Sequence, residues 1–230
     1  VKMPRPFFLL ERAVAAALRY AAERFTQCWI PDYEGAQNLT GELSRKYPLP
    51  RNHRFIGPLS RFTGLDTPPS AGPDLLVILS GPEPQRTILE KSVLGKVHAF
   101  GGSVVVLRGT PGEDTEIEEG RVRILSSATS QQVATLMKNA TRIVCRGGYT
   151  TIMELVSLGR SAVLIPTPGQ TEQEYLCDRL AQAGRFVVQR QSSLDLSVAL
   201  ALLDRLATPS VSEDHSFFYP LLRQALQECG

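Results

Sequence analysis

Ile143-Val144-Cys145-Arg146-Gly147-Gly148-Tyr149-Thr150-Thr151-Ile152-Met153-Glu154-Leu155 is the stretch on which the fold turns. Its opening is a short apolar run that reads as a buried strand, its close is an apolar run that reads as a helix, and two glycines stand between them. Paired glycines at a strand-to-helix turn let a ligand approach the backbone closely. The start of the helix that follows offers free N–H groups and a positive dipole end, which makes this the best anion site in the chain.

Outward from this turn the same grammar repeats. Leu75–Leu79, Val104–Leu107, Val122–Leu125, Ile143–Cys145, Ala162–Ile165 and Phe186–Val188 read as strands. Arg123 apart, they are apolar instead of alternating, the signature of parallel strands covered on both faces. Ile88–Phe100, Gln131–Asn139, Thr151–Leu158 and Glu172–Ala183 read as crossover helices, and Leu194–Leu206 and about Glu213–Glu228 as two closing helices around a turn at Thr208–Ser210. The fold class is α/β, a doubly wound parallel sheet.

Residues 1 to about 55 differ: an amphipathic helix over Phe7–Phe25, a short run Cys28-Trp29-Ile30, a turn from Pro31 to Gly35, and a polar helix near Ala36–Lys46. One strand and two helices make no core of their own. Phe55-Ile56-Gly57-Pro58-Leu59 and the Pro/Gly-rich 64–73 read as a linker. The expected organisation is therefore residues 1–62 as the tail of a preceding domain plus linker, and residues 63–230 as a ligand-binding domain.

Composition excludes several function classes. The net charge of +2, from 25 basic and 23 acidic residues spread along the chain, leaves no footprint for nucleic acid. Glu11, Arg12, Arg19, Glu23 and Arg24 interrupt the first helix, which is thus neither a membrane span nor a signal peptide. Its Arg-bearing pattern suits docking on protein, with contact to an anionic membrane surface as the competing reading. Four scattered cysteines form no Cys-x-x-Cys pair, so a reducing, cytoplasmic setting is expected, with Cys28, Cys145 and Cys177 buried as small hydrophobes. His53, His98 and His215 are isolated. The acidic run Glu113–Glu119 reads as a solvated turn, and the absence of an Asp-x-Asp pair disfavours a metal-anchored diphosphate.

In a parallel open sheet ligands bind beyond the carboxyl ends of the strands. The loop Ser80–Arg86 leads into a helix and carries a phosphate-matching guanidinium at Arg86, although Pro82 and Pro84 remove two donors and a rigid turn explains it equally. Glu154 has two readings: acceptor for two ribose hydroxyls, or partner of Thr151 in a capping box that closes the helix start. The loop Pro166–Glu174 brings amides and carboxylates to the same crevice, or is a helix start capped by Thr171.

The order of Arg146–Leu155, Gly159–Pro166, Gln173-Glu174-Tyr175 and Ala183-Gly184 resembles the C-terminal domain of glycosyltransferase family 28, most clearly over residues 120–190. The segments from Cys28 to Gly35 and from Phe55 to Phe62 look like the end of the N-terminal domain and the linker of bacterial members. The resemblance implies the Rossmann-like C-terminal half of a two-domain GT-B enzyme that holds a UDP-sugar. It places Glu154 on the ribose-binding glutamate, Gln173 and Glu174 at the donor sugar, and Arg61 near the diphosphate. Leu125 and Ser126 fall where backbone groups meet the uracil. Gly81, Arg86, Arg146, Gly147, Gly148, Thr150 and Thr151 complete the expected donor-binding set. Two positions depart from the family pattern: Ser80–Arg86 lacks its second glycine pair, and Glu174 replaces a second glutamine.

The expected function is donor binding for an inverting transfer of a sugar from UDP to an acceptor hydroxyl. No cofactor and no metal are expected, and no catalytic residue within the chain, since the family's base and acceptor site lie in the N-terminal domain. The expected acceptor is a saccharide or a lipid-linked molecule, and the expected location is the cytoplasm, with a peripheral position at the inner face of the membrane as the alternative. The rival readings are a UDP-sugar epimerase or hydrolase on the same fold, and a non-catalytic donor-binding subunit that needs a partner chain.

Overall fold

The computed structural model describes residues 8–110, 112, 114–206, 224, 226 and 227. The chain divides into two compact units, residues 1–59 with 212–230, and residues 60–211.

In the first unit, helix α1 (Phe8–Ala22) precedes strand β1 (Cys28–Ile30), a single helical turn α2 (Glu42–Arg45) and strand β2 (His53–Phe55). The expected helix over 36–46 is reduced to that turn because Asp32 competes for the backbone. Its fully buried carboxylate accepts the N–H groups of Tyr33, Leu39 and Thr40 at 2.8, 2.7 and 3.1 Å, and Arg45 Nη1 at 2.9 Å. The single strand expected here is in fact a parallel pair, β1 with β2. Pairing continues past it: Ile56 N–H donates to Ile30 O at 3.0 Å and Gly57 N–H to Asp32 O at 3.2 Å. The segment read as linker is thus bonded into this unit as far as Gly57. Three-residue strands are too short to show a period, which is why β2 escaped the reading. Cys28 is only partly buried, contrary to expectation.

The second unit holds β3 (Leu75–Ile78), α3 (Gln85–Val97), β4 (Val104–Leu107), β5 (Glu116–Glu119), β6 (Val122–Leu125), α4 (Ser130–Asn139), β7 (Arg142–Arg146), α5 (Tyr149–Ser157), β8 (Val163–Ile165), α6 (Thr171–Gln182), β9 (Val187–Val188) and α7 (Leu196–Leu203). The sheet order is β5-β6-β4-β3-β7-β8-β9, parallel throughout except for β5. All six strands expected here are present. The apolar strand residues meet Leu89, Val93 and Val97 of α3 and Leu196, Ala199, Leu200 and Leu203 of α7 in one core.

The acidic run is where the reading fails. Glu116, Glu118 and Glu119 belong to an exposed antiparallel edge strand on β6, joined to it by a two-residue turn with Gly120 at φ 63°. Glutamates on an edge strand oppose pairing with another chain, and Glu116 is ion-paired to Arg123 across the hairpin. α7 begins at Leu196 because Asp195 caps it, accepting Val198 N–H at 3.0 Å. The helix expected at 213–228 and the turn at 208–210 lie outside the described residues. Among those described, no helix is long and apolar enough to cross a membrane.

Strand order reverses between β3 and β7. In a doubly wound sheet that reversal opens a crevice at the carboxyl ends of the two strands, and here it is bordered by the loops after β3, β7 and β8.

Candidate functional site

Arg146, at the carboxyl end of β7, ties the crevice loops together. Its Nε donates to Ser80 O at 3.3 Å and its Nη2 to Gln85 O at 2.6 Å, while Nη1 is buried without a partner. Burial with no facing carboxylate lowers its pKa to about 10. Beside it the buried hydroxyl of Thr167 also has no partner. Gly81, at φ 102°, lies directly against this pair: a Cβ there would stand 3.6 Å from Thr167 Oγ1 and 4.0 Å from Arg146 Nε. The crevice floor is therefore cationic and has donor capacity to spare, which suits an anion. Thr167 was missed in the sequence, where a threonine between two prolines carries no signal.

The two glycines after Arg146 have different reasons. A Cβ on Gly147 would come 2.1 Å from Cys177 Sγ, so this glycine is required by packing on α6. Cys145 and Cys177 are both buried as expected, and desolvation pushes the Cys177 thiol up to about 12. Gly148 has no atom within 4 Å of its missing side chain and is the N-cap of α5, with no capping side chain. Of the pair, Gly148 is the one open to a ligand. Thr150 is exposed and Thr151 half-buried in the first turn that follows.

Because α5 begins at Tyr149, Glu154 is in its second turn and Thr151 inside the helix. The capping box is thereby excluded, since Thr151 is not an N-cap and the carboxylate is engaged elsewhere. Glu154 is 4% exposed, and its Oε1 accepts from Arg61 Nε at 2.7 Å. Burial raises its pKa, and the adjoining Arg61 charge and hydrogen bond oppose that rise only in part. A buried carboxylate facing a half-exposed arginine at a crevice of this kind is an acceptor for donors that arrive from solution.

The other expected residues are placed with less freedom. Gln173 Oε1 accepts Thr167 N–H at 2.9 Å and its Nε2 donates to Gln170 Oε1 at 2.5 Å, so the amide braces its own loop. Thr171 is the first residue of α6, after the N-cap Gln170, and not the cap. Together with Tyr149, Gly169, Gln170 and Glu172, Thr171 and Gln173 line a cleft of about 400 Å³. Glu174 lies 3.8 Å from Arg190. Arg86 is already paired to Glu83 and to Glu90, the latter at 3.2 Å. Ser126 is buried, its N–H donating to Thr115 O at 3.0 Å and its carbonyl accepting Thr110 N–H at 2.9 Å, while Leu125 O accepts Arg108 N–H at 2.8 Å. These two residues fasten the loop after β4 to β6.

The comparisons with known proteins agree with this architecture. The chain is 43% identical over 68 residues to the UDP-N-acetylglucosamine–N-acetylmuramyl-(pentapeptide) pyrophosphoryl-undecaprenol N-acetylglucosamine transferase of Methylococcus capsulatus, covering 27% of this chain and 19% of that protein. It is 29% identical over 170 residues to the enzyme of the same name from Synechococcus sp. (strain JA-3-3Ab), covering 72% of this chain and 45% of that protein. The chain thus spans less than half the length of these relatives. Among solved structures, the glycotransferase of kitacinnamycin superposes with a TM-score of 0.52 at 14% identity, over 84% of this chain and 50% of that one, a likeness of fold. The model of the glycosyltransferase family 28 C-terminal domain matches residues 106–214, a span that takes in Arg146, Gly148, Glu154 and Gln173. Over residues 106–214, just under half of the chain, the sequence is similar to the glycosyltransferase family 28 C-terminal domain.

Proposed function

We propose that this chain is the donor-binding part of an inverting glycosyltransferase that moves a sugar from a UDP-sugar to an acceptor hydroxyl. The observation that carries the reading is Glu154, a carboxylate 4% exposed on the helix that opens at the sheet's reversal point. A diol presented to one carboxylate makes two charge-assisted bonds, which suits a ribose. The diphosphate then reaches Gly148 and the start of α5, over the floor formed by Arg146, Thr167 and Gly81. The sugar takes the cleft that Gln173 and Glu172 line, with Glu174 at its border, and the uracil lies towards Leu125 and Ser126.

In an inverting transfer the acceptor oxygen bonds to the anomeric carbon as the bond to the diphosphate breaks, and UDP departs with the electron pair. Negative charge grows on the diphosphate, where fixed N–H groups and a buried guanidinium stabilise it without reorganising. The crevice loops carry no histidine, and this reading assigns Glu154 to the ribose and Glu172 and Glu174 to the donor-sugar side, which leaves the general base to the acceptor side, outside these loops. The relatives named above, whose names include a pyrophosphoryl-undecaprenol, support a lipid-linked acceptor.

Calorimetry with UDP tests the reading. Charge-assisted bonds of this kind are each worth roughly 1.5–3 kcal/mol, so Glu154→Ala is expected to weaken UDP binding about tenfold or more. Equal affinity in a folded variant would remove Glu154 from the nucleotide site.

A further inference from the structure

The family resemblance implies Arg61 near the diphosphate; the structure sets its Nε on Glu154 Oε1. Arg61 belongs to a turn in which Thr63 N–H donates to Ser60 O at 3.3 Å and Leu65 N–H to Phe62 O at 3.0 Å. Phe62 anchors that turn, being 5% exposed, and the Arg61 guanidinium lies 5.1 Å from its ring centroid. The arginine is thus delivered to Glu154 by a fixed backbone.

Glu154 has reason to need it. A buried carboxyl tends to keep its proton, and a protonated carboxyl gives up acceptor capacity that a pair of hydroxyls requires. The titratable groups that face Glu154 are Arg61 from the 60–65 turn and the Cys145 thiol of β7, which burial keeps protonated. Arg61 is the cation among them. It engages Oε1 at 2.7 Å.

We infer that Arg61 is a positioning residue for nucleoside recognition: it holds Glu154 ionised and aimed, and acts on the ribose half of the nucleotide through that carboxylate instead of on the diphosphate. This rests on the donor-site reading above. It predicts an effect on a ligand that has no phosphate at all.

Uridine and UDP, titrated into the whole chain from about pH 5 to pH 8, separate the possibilities. Arg61→Met is expected to weaken uridine and UDP by the same factor, about tenfold, and to move the acid-side loss of affinity to higher pH. Arg61→Lys, which restores a cation, recovers most of both. Adding Arg61→Met to Glu154→Gln, whose amide does not titrate, moves no pH midpoint. If Arg61→Met weakens UDP and leaves uridine binding unchanged, the inference is overturned and the arginine belongs to the diphosphate; an acid-side midpoint that stays where it is in the wild type also overturns it, since Arg61 then does not hold Glu154 ionised. If the wild type binds neither ligand, the donor reading fails and this inference falls with it.

Discussion

On the proposed donor-site reading Glu154 is pulled in two directions, since binding a ribose asks for a carboxylate where folding prefers a neutral group. Its pKa in the fold lies above the ordinary glutamate value because burial disfavours the charge. A raised pKa means that the folded chain binds the proton more tightly than the unfolded one. The resulting stability is fully present below the unfolded pKa and is lost as pH rises through the folded one. Glu154→Gln fixes a neutral side chain of nearly the same shape, and the Arg61 it leaves unpaired is half-exposed and readily solvated. The variant should therefore melt higher than the wild type at neutral pH, with the difference vanishing towards about pH 4, while its UDP affinity falls. A melting curve that is lower at neutral pH would mean that the Arg61 pair outweighs desolvation. At this scale the sequence singled out Glu154 and was silent about the partner that the structure gives it. Glu154 follows a legible strand–glycine–helix pattern, whereas Arg61 lies 93 positions away and no local period connects them. The capping box was misread for a related reason: the helix starts two residues earlier than its first apolar residues suggest, so Thr151 is already inside it.

Helix α5 shows how an element sets the site. Its entry is made by two glycines, one shaped by packing and one by access, and the two are separable by substitution. Gly147→Ala forces a Cβ onto Cys177 Sγ, an overpacking expected to destabilise the domain by about 1–3 kcal/mol in denaturant unfolding. Gly148→Ala, at φ −72° and over open space, should leave stability within about 0.5 kcal/mol and weaken UDP binding. The opposite assignment of losses would reverse the roles of the two glycines. The central parallel strands were legible because burial on both faces makes them apolar throughout, as in Val104–Leu107, whereas Val122–Leu125, next to the edge, carries the exposed Arg123. β5 was not, because an edge strand with four exposed residues has no buried face to write a pattern. The polar helix expected at 36–46 was lost to Asp32, a tertiary competitor that propensity does not see.

For the whole molecule, the doubly wound unit of residues 60–211 carries the crevice, and its cationic floor comes from Arg146 itself. If charge on the leaving diphosphate is met by that floor and by helix N-termini, UDP binding should be unchanged by a chelator and by added magnesium. Loss of binding with the chelator, restored by magnesium, would show that a cation is needed. With UDP-sugar and saccharide or lipid-linked acceptors the chain alone should release UDP at a negligible rate, since a general base typically contributes 10²–10⁴-fold and the crevice loops carry no histidine for that role. Turnover comparable to a complete enzyme would place a base within these residues. The claim on which the rest depends is that the crevice at the β3–β7 reversal holds a nucleotide by its ribose. A crystal structure with UDP bound measures this directly. The account predicts both ribose hydroxyls within about 2.5–3.0 Å of the Glu154 carboxylate and the diphosphate over Gly148. UDP bound with its ribose away from Glu154, or at a different end of the sheet, would contradict it.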